Sequence, residues 1–92
     1  VILLVDDEAT VRTAVKNILQ EAGFRVLPAE HGARAIELLK AGAEVRLLLT
    51  DLIMPQVDGR EVAAQARRLR PALPVVLMSG RHDELERVGQ AD

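Results

Sequence analysis

The chain has 92 residues, of which 49% are hydrophobic and 28% charged, with a formal net charge of −2 and no cysteine. That length holds one small domain with a real core, and the charge balance lacks the basic excess that drives binding to a phosphate backbone, so nucleic acid is not an expected partner. The absence of cysteine removes a disulfide framework and a thiolate metal site, which fits a reducing cytoplasm, and no apolar run approaches the roughly 18 residues of a membrane span.

Residues 1–5, VILLV, are a continuous apolar run ending on charge, the pattern of a strand buried on both faces. From Glu8 onward Val11, Ala14, Val15, Ile18, Leu19 and Ala22 recur at three and four, which predicts a helix with one apolar face, stopped by Gly23. Residues 24–29, FRVLPA, form a second strand that Pro28 assigns to a sheet edge. The helical period returns through Ala35, Ile36 and Leu39 and ends at Gly42. A third strand covers residues 45–50, VRLLLT. After an Asp58-Gly59 turn, Val62, Ala63, Ala66 and Leu69 predict a third helix, closed by Pro71. Residues 73–78, LPVVLM, make the fourth strand, Ser79 and Gly80 break it, and residues 84–88 have a short helical pattern.

Strand and helix alternate throughout with short connections. This order implies an α/β fold, a doubly wound parallel sheet with helices on both faces and right-handed crossovers. Ligands of such sheets sit beyond the carboxyl ends of the strands, near the point where strand order reverses. The residues at that edge are Asp6, Asp7 and Glu8 after the first strand, Asp51 after the third, and Ser79 and Gly80 after the fourth. If the first and third strands are neighbours, Asp6, Asp7 and Asp51 converge although they are far apart in sequence. Singly, Asp7 also suits the N-cap of the first helix, and Ser79 a turn.

Two carboxylates about 4 Å apart repel by roughly 4 kcal/mol at an effective dielectric of 20. Three together need protonation or a bridging cation. Oxygen donors without histidine or cysteine select a hard ion, Mg²⁺ or Mn²⁺, over zinc. A hard cation beside a carboxylate and a hydroxyl makes a phosphoryl-binding site in which Asp51 can act as nucleophile.

With these residues in place the chain resembles the receiver domain of two-component response regulators, the CheY-like family. LLVDDEATVR resembles its first strand and acidic pair, LLLTDLIMPQVDG its phosphoacceptor segment, and PVVLMSG its fourth strand with a switch hydroxyl. The resemblance implies a flavodoxin-like strand order, 2-1-3-4-5. It makes Asp51 the residue phosphorylated from a phosphohistidine on a histidine kinase or phosphotransfer domain. It makes Asp7 a direct Mg²⁺ ligand, Asp6 a ligand through water, and the backbone carbonyl of Ile53 a further ligand. Met54 and Pro55 would shape the acceptor loop, and Asp58 would cap the third helix. Ser79 would hydrogen-bond the phosphoryl group and act as the switch, and Gly80 would leave room for the donor.

The family also places a Lys-Pro at the end of a fifth strand that carries an aromatic residue, followed by a fifth helix. None of these is present in the 92 residues, and neither Lys16 nor Lys40 follows a strand. VGQAD, residues 88–92, resembles the segment before strand five, so the expectation is a single receiver domain over residues 1–92, C-terminally incomplete. LLLTDLIMP, RPALPVVLMSG and GREVAAQ look most like receivers joined to hybrid sensor histidine kinases, with stand-alone and DNA-binding regulators as runners-up. The output domain is unassigned, and a homodimer is compatible with the pattern. Two other classes compete: a haloacid dehalogenase-type phosphatase, which wants Asp-x-Asp where this chain has Asp6 and Glu8, and a degenerate receiver that serves only as a protein-binding surface. Arg67, Arg68 and Arg70 suit a solvated helix end, Arg81 a loop, and His31 and His82 lack ligand partners at suitable spacing.

Overall fold

Strands that are apolar without alternation need cover on both faces; the computed structural model, which describes residues 1–52, 54 and 58–78, forms the strands in the expected order and buries residues 2–5 throughout, but leaves Val76 and Leu77 of the fourth strand exposed. The elements are β1 (Ile2–Val5), α1 (Ala9–Glu21), β2 (Val26–Ala29), α2 (Gly32–Lys40), β3 (Leu47–Asp51), α3 (Gly59–Leu69) and β4 (Val75–Met78). The strands pair in parallel in the order β2-β1-β3-β4. This is the doubly wound, flavodoxin-like arrangement, and Pro28 lies on its edge strand as expected. The helical pattern over residues 84–88 falls outside the described residues.

One face of the sheet carries α2 and α3, which pack against each other, and α1 packs on β1 and β2 without comparable contact with either. The main core lies on the two-helix side, where Leu3, Val5 and Leu48 meet Ala35, Ile36 and Leu39 of α2 and Val62 and Ala66 of α3. Leu3, Leu4 and Leu48 are fully buried, each contributing about 1.5–3 kcal/mol through burial. The apolar face expected of α1 is less covered than the two-helix side. No residue of α1 is buried, Val11, Val15 and Leu19 are half-buried, and Ile18 is 65% exposed. Among the described residues no other helix packs beside α1, so only the stripe turned toward the strands is sheltered and the outer half of the periodic pattern faces outward.

β2, β3 and β4 each begin two residues later than their apolar runs suggest, and for β2 the end of the preceding helix explains why. Gly23 has a φ of +96°, its N–H donates to the Gln20 carbonyl, and the Phe24 N–H donates to Leu19. The same closure ends α2, with Gly42 at φ +90° donating to Leu39 and Ala43 donating to Leu38. These are Schellman motifs, in which the residue after the glycine still serves the helix. Phe24 is thereby excluded from β2 and is 53% exposed. Arg70 also departs from expectation. It donates to the Leu39 carbonyl oxygen at 3.1 Å, tying the end of α3 to α2, whereas Arg67 and Arg68 are exposed in the last turn of α3, where they complement the helix dipole. Among the described residues no helix is long and apolar enough to cross a membrane.

Candidate metal and phosphoryl site

In a parallel sheet every strand delivers its carboxyl end to the same edge. The pairing of β1 with β3 sets Val5 opposite Thr50, so the residues that follow, Asp6 and Asp51, emerge side by side. Asp7 completes a cluster in which one carboxylate oxygen from each of Asp6, Asp7 and Asp51 lies within 4.8 Å of the others. Asp6 is 2% exposed and Asp51 6% exposed, while Asp7 faces solvent. Asp51 is the last residue of β3 and pairs with Met78 of β4.

The backbone and side chain of Asp6 are both engaged. Its N–H donates to the Ala29 carbonyl on β2, its Oδ1 accepts the Glu8 N–H at 2.9 Å, and its carbonyl oxygen accepts from Arg12 Nη1 at 2.8 Å. Burial pushes the Asp6 carboxyl above its ordinary value. The Glu8 hydrogen bond opposes that shift, the charges of Asp7 and Glu8 add to it, and Arg12 draws it down. A raised carboxyl favours ionisation in the unfolded chain, so the metal-free fold is penalised at neutral pH and relieved as pH falls through the raised value. Asp6→Asn, which keeps an oxygen for the Glu8 N–H, is expected to stabilise the metal-free protein at pH 7 by on the order of 1–2 kcal/mol. Chemical denaturation in a chelator should show this advantage closing as pH drops toward the ordinary value of 3.8. A variant that is no more stable than the parent at pH 7 refutes the strain.

Two features beneath Asp51 were not anticipated. The fully buried Thr50 hydroxyl donates to the Asp51 carbonyl oxygen at 3.2 Å. Gly59 begins α3 directly against the backbone of Asp51 and Leu52: its N–H donates to the Leu52 carbonyl at 2.8 Å, and a Cβ there would lie 2.9 Å from Leu52 Cα and 3.0 Å from the Asp51 carbonyl carbon. Asp58 caps this helix as expected, its Oδ1 accepting the Arg60 N–H at 2.7 Å. A glycine at a helix start, where the backbone needs no left-handed conformation, was the available signal for close approach.

Ionised carboxylates within 4.8 Å of one another repel by at least about 3.5 kcal/mol per pair at an effective dielectric of 20. The donor set fits a hard divalent ion. Mg²⁺ bonds oxygen at about 2.1 Å, so opposite ligands stand about 4.2 Å apart, close to the limit that contains these three oxygens. Sulfur and imidazole, the usual zinc donors, are absent from the cluster.

The structure therefore brings together Asp6, Asp7 and Asp51. It also corrects the capping alternative for Asp7: the N-cap of α1 is Glu8, which makes no side-chain cap. Glu8 donates its N–H to Asp6, and the carboxylates that cluster with Asp6 are Asp7 and Asp51, not the Glu8 of a haloacid dehalogenase-type pair. Met54 is half-buried against the core. His31 caps α2, its Nδ1 accepting the Arg34 N–H at 3.0 Å. Ile53, Pro55, Ser79, Gly80, Arg81 and His82 lie outside the described residues.

A four-stranded parallel sheet in this order, with an acidic triad at its carboxyl edge, is the architecture of a two-component receiver. The model of the response regulator receiver domain family matches residues 2–91, and the chain belongs to that family. Over 67 residues it is 42% identical to the chemotaxis protein CheY1 of Helicobacter pylori, covering 72% of this chain and 54% of that protein. It is 35% identical over 85 residues to the autoinducer 1 sensor kinase/phosphatase LuxN of Vibrio harveyi, covering 92% of this chain and 10% of that one. The chain thus spans about half of the first relative and a tenth of the second. Among solved structures, the Thermotoga maritima response regulator TrrA, crystallised with Mg²⁺-BeF, superposes with a TM-score of 0.82 at 30% identity, covering 98% of this chain and 77% of that one. A receiver protein from Sinorhizobium medicae gives 0.81 at 40% identity, covering 99% and 73%.

Proposed function

We propose that this receiver domain takes a phosphoryl group on Asp51 from a phosphohistidine and passes the signal on by a change of conformation. The observation that carries the reading is the convergence of Asp51 with Asp6 and Asp7 at the carboxyl edge of the sheet, within 4.8 Å. An Asp51 carboxylate oxygen forms a bond to phosphorus as the phosphorus–nitrogen bond of the donor breaks; the electron pair returns to the imidazole, which gains a proton. The product is an acyl phosphate. Asp7 binds Mg²⁺ directly, Asp6 acts through a bound water, and Asp51 and the Ile53 carbonyl complete the protein ligands, with Mn²⁺ able to substitute. When bound, the ion neutralises phosphoryl oxygens as charge develops on them. Ser79 donates a hydrogen bond to the new phosphoryl group and moves with it, biasing an equilibrium that already exists.

The donor is a histidine kinase or phosphotransfer domain in the cytoplasm, and the output is another domain or protein, with no direct contact between this domain and nucleic acid. The matches to both a sensor kinase and a chemotaxis protein support a parent of either kind, hybrid kinase or response regulator. The resemblance to a regulator crystallised with Mg²⁺-BeF supports the same metal here. A small phosphodonor such as acetyl phosphate tests the reading. The protein should gain a base-labile phosphoryl group in Mg²⁺ and none in a chelator, and labelling that ignores the chelator overturns the metal's part.

A further inference from the structure

We propose that Arg12 is a positioning residue for this metal site: by donating to the Asp6 carbonyl oxygen, it fixes the turn from which Asp6 and Asp7 project. The inference rests on the Mg²⁺ reading above and adds a residue that lies six positions past Asp6 and carries no metal ligand atom.

The first support is the reach of the side chain. Arg12 Nη1 crosses back over the start of α1 to the Asp6 carbonyl at 2.8 Å, and the residue is half-buried in doing so. Its own N–H meanwhile donates to the Glu8 carbonyl at 2.9 Å, the first intrahelical bond of α1. Both ends of Arg12 are therefore tied to the β1–α1 turn, one to Asp6 and one to Glu8. The Asp6 N–H is held by Ala29 on β2 and its Oδ1 by the Glu8 N–H, so the arginine supplies the missing restraint on its carbonyl.

The second support is that the position makes poor sense for the helix alone. Arg12 sits one turn into α1, at the end that the backbone dipole makes positive, where a cation is unfavourable. The start of this helix has no acidic residue in its first turn and no side-chain cap from Glu8. A local choice that works against its own element marks a functional demand. That demand is a rigid frame for two carboxylates which must stay close despite their repulsion, the service that groups behind metal ligands commonly perform.

The charge and the hydrogen bond act in opposite directions, which makes the role testable. A positive charge beside a cation site lowers metal affinity, so deleting charge alone should tighten Mg²⁺ binding. Deleting a restraint should weaken it. Arg12→Met keeps the apolar stem and removes both charge and donor, while Arg12→Lys keeps a charge and a donor. The experiment is a Mg²⁺ titration of the intact wild-type protein and both variants, followed through the backbone amide signals of Asp7 and Glu8, with circular dichroism to confirm folding. The expected result is about tenfold weaker binding in Arg12→Met and recovery of most of that loss in Arg12→Lys. Should Arg12→Met not fold, Arg12→Gln, which keeps a shorter neutral donor, must fall between Lys and wild type on one side and no binding on the other. Equal or tighter Mg²⁺ binding in folded Arg12→Met or Arg12→Gln overturns the positioning role. Wild-type protein that fails to bind Mg²⁺ overturns the metal-site reading itself, a failure visible before any variant is compared.

Discussion

Asp51→Asn is expected to eliminate phosphoryl incorporation from a small donor while leaving the fold intact. The substitution is nearly isosteric, so β3 should keep its pairing with β1 and β4 and the sheet its order. What changes is chemical. An amide oxygen bears no full negative charge, and the amide's nitrogen lone pair is delocalised, so neither atom attacks phosphorus at a useful rate. The cluster offers a demanding control, because Asp6 and Asp7 present carboxylate oxygens within 4.8 Å of the same point. If proximity to the metal were sufficient, either would accept the phosphoryl group when Asp51 is lost. Asp6 is held by the Glu8 N–H and is buried, and Asp7 is exposed. Intact-mass measurement after incubation with acetyl phosphate and Mg²⁺ should show no added phosphoryl group. Borohydride reduction of the wild-type acyl phosphate should mark residue 51. A labelled, folded Asp51→Asn protein would falsify the assignment, and the reduced position would then identify the true acceptor.

Much of this site was legible in the sequence because it depends on topology. Once the residues alternate strand and helix, Val5 and Thr50 predict strand ends, and the sheet then gathers Asp6, Asp7 and Asp51 without any contact being known beforehand. Asp58 as a cap and Pro28 on an edge strand were legible for the same reason, since each depends on local backbone chemistry. The contributions of Arg12 and Thr50 were not. A long side chain that folds back six residues and a hydroxyl that bonds the next residue's carbonyl are determined by rotamer and packing, which leave no periodic trace. The exposure of Ile18 was hidden for a related reason: periodicity identifies which face of α1 is apolar but not how widely the sheet beneath it spreads.

Gly59→Ala is expected to be the most disruptive single-methyl change near the site. Its Cβ would be driven into the Asp51 carbonyl oxygen and would sit 2.9 Å from Leu52 Cα, against backbone rather than a side chain that can swing away. Relief requires α3 to retreat or the end of β3 to bend. Retreat would break the Gly59 N–H bond to Leu52 and loosen Val62 and Ala66, both buried in the core that α3 shares with α2. Bending would move Asp51 away from Asp6 and Asp7. Alanine favours a helix over glycine by about 1 kcal/mol, whereas overpacking costs about 1–3 kcal/mol and occasionally more, so the clash should win. A net loss of about 1 kcal/mol, the middle of that difference, lowers the melting temperature of a domain this size by roughly 4–8 °C. Thermal unfolding in a chelator reads that loss, and Mg²⁺ titration at a temperature where the variant is still folded reads displacement of the acceptor. Unchanged melting together with unchanged Mg²⁺ affinity would show that the contact between α3 and the acceptor backbone yields freely. A melting loss with intact affinity would assign the strain to α3, and weakened affinity with little loss of stability would assign it to β3. Retreat and bending are thus separable, because bending moves the Asp51 carboxylate and retreat leaves it in place.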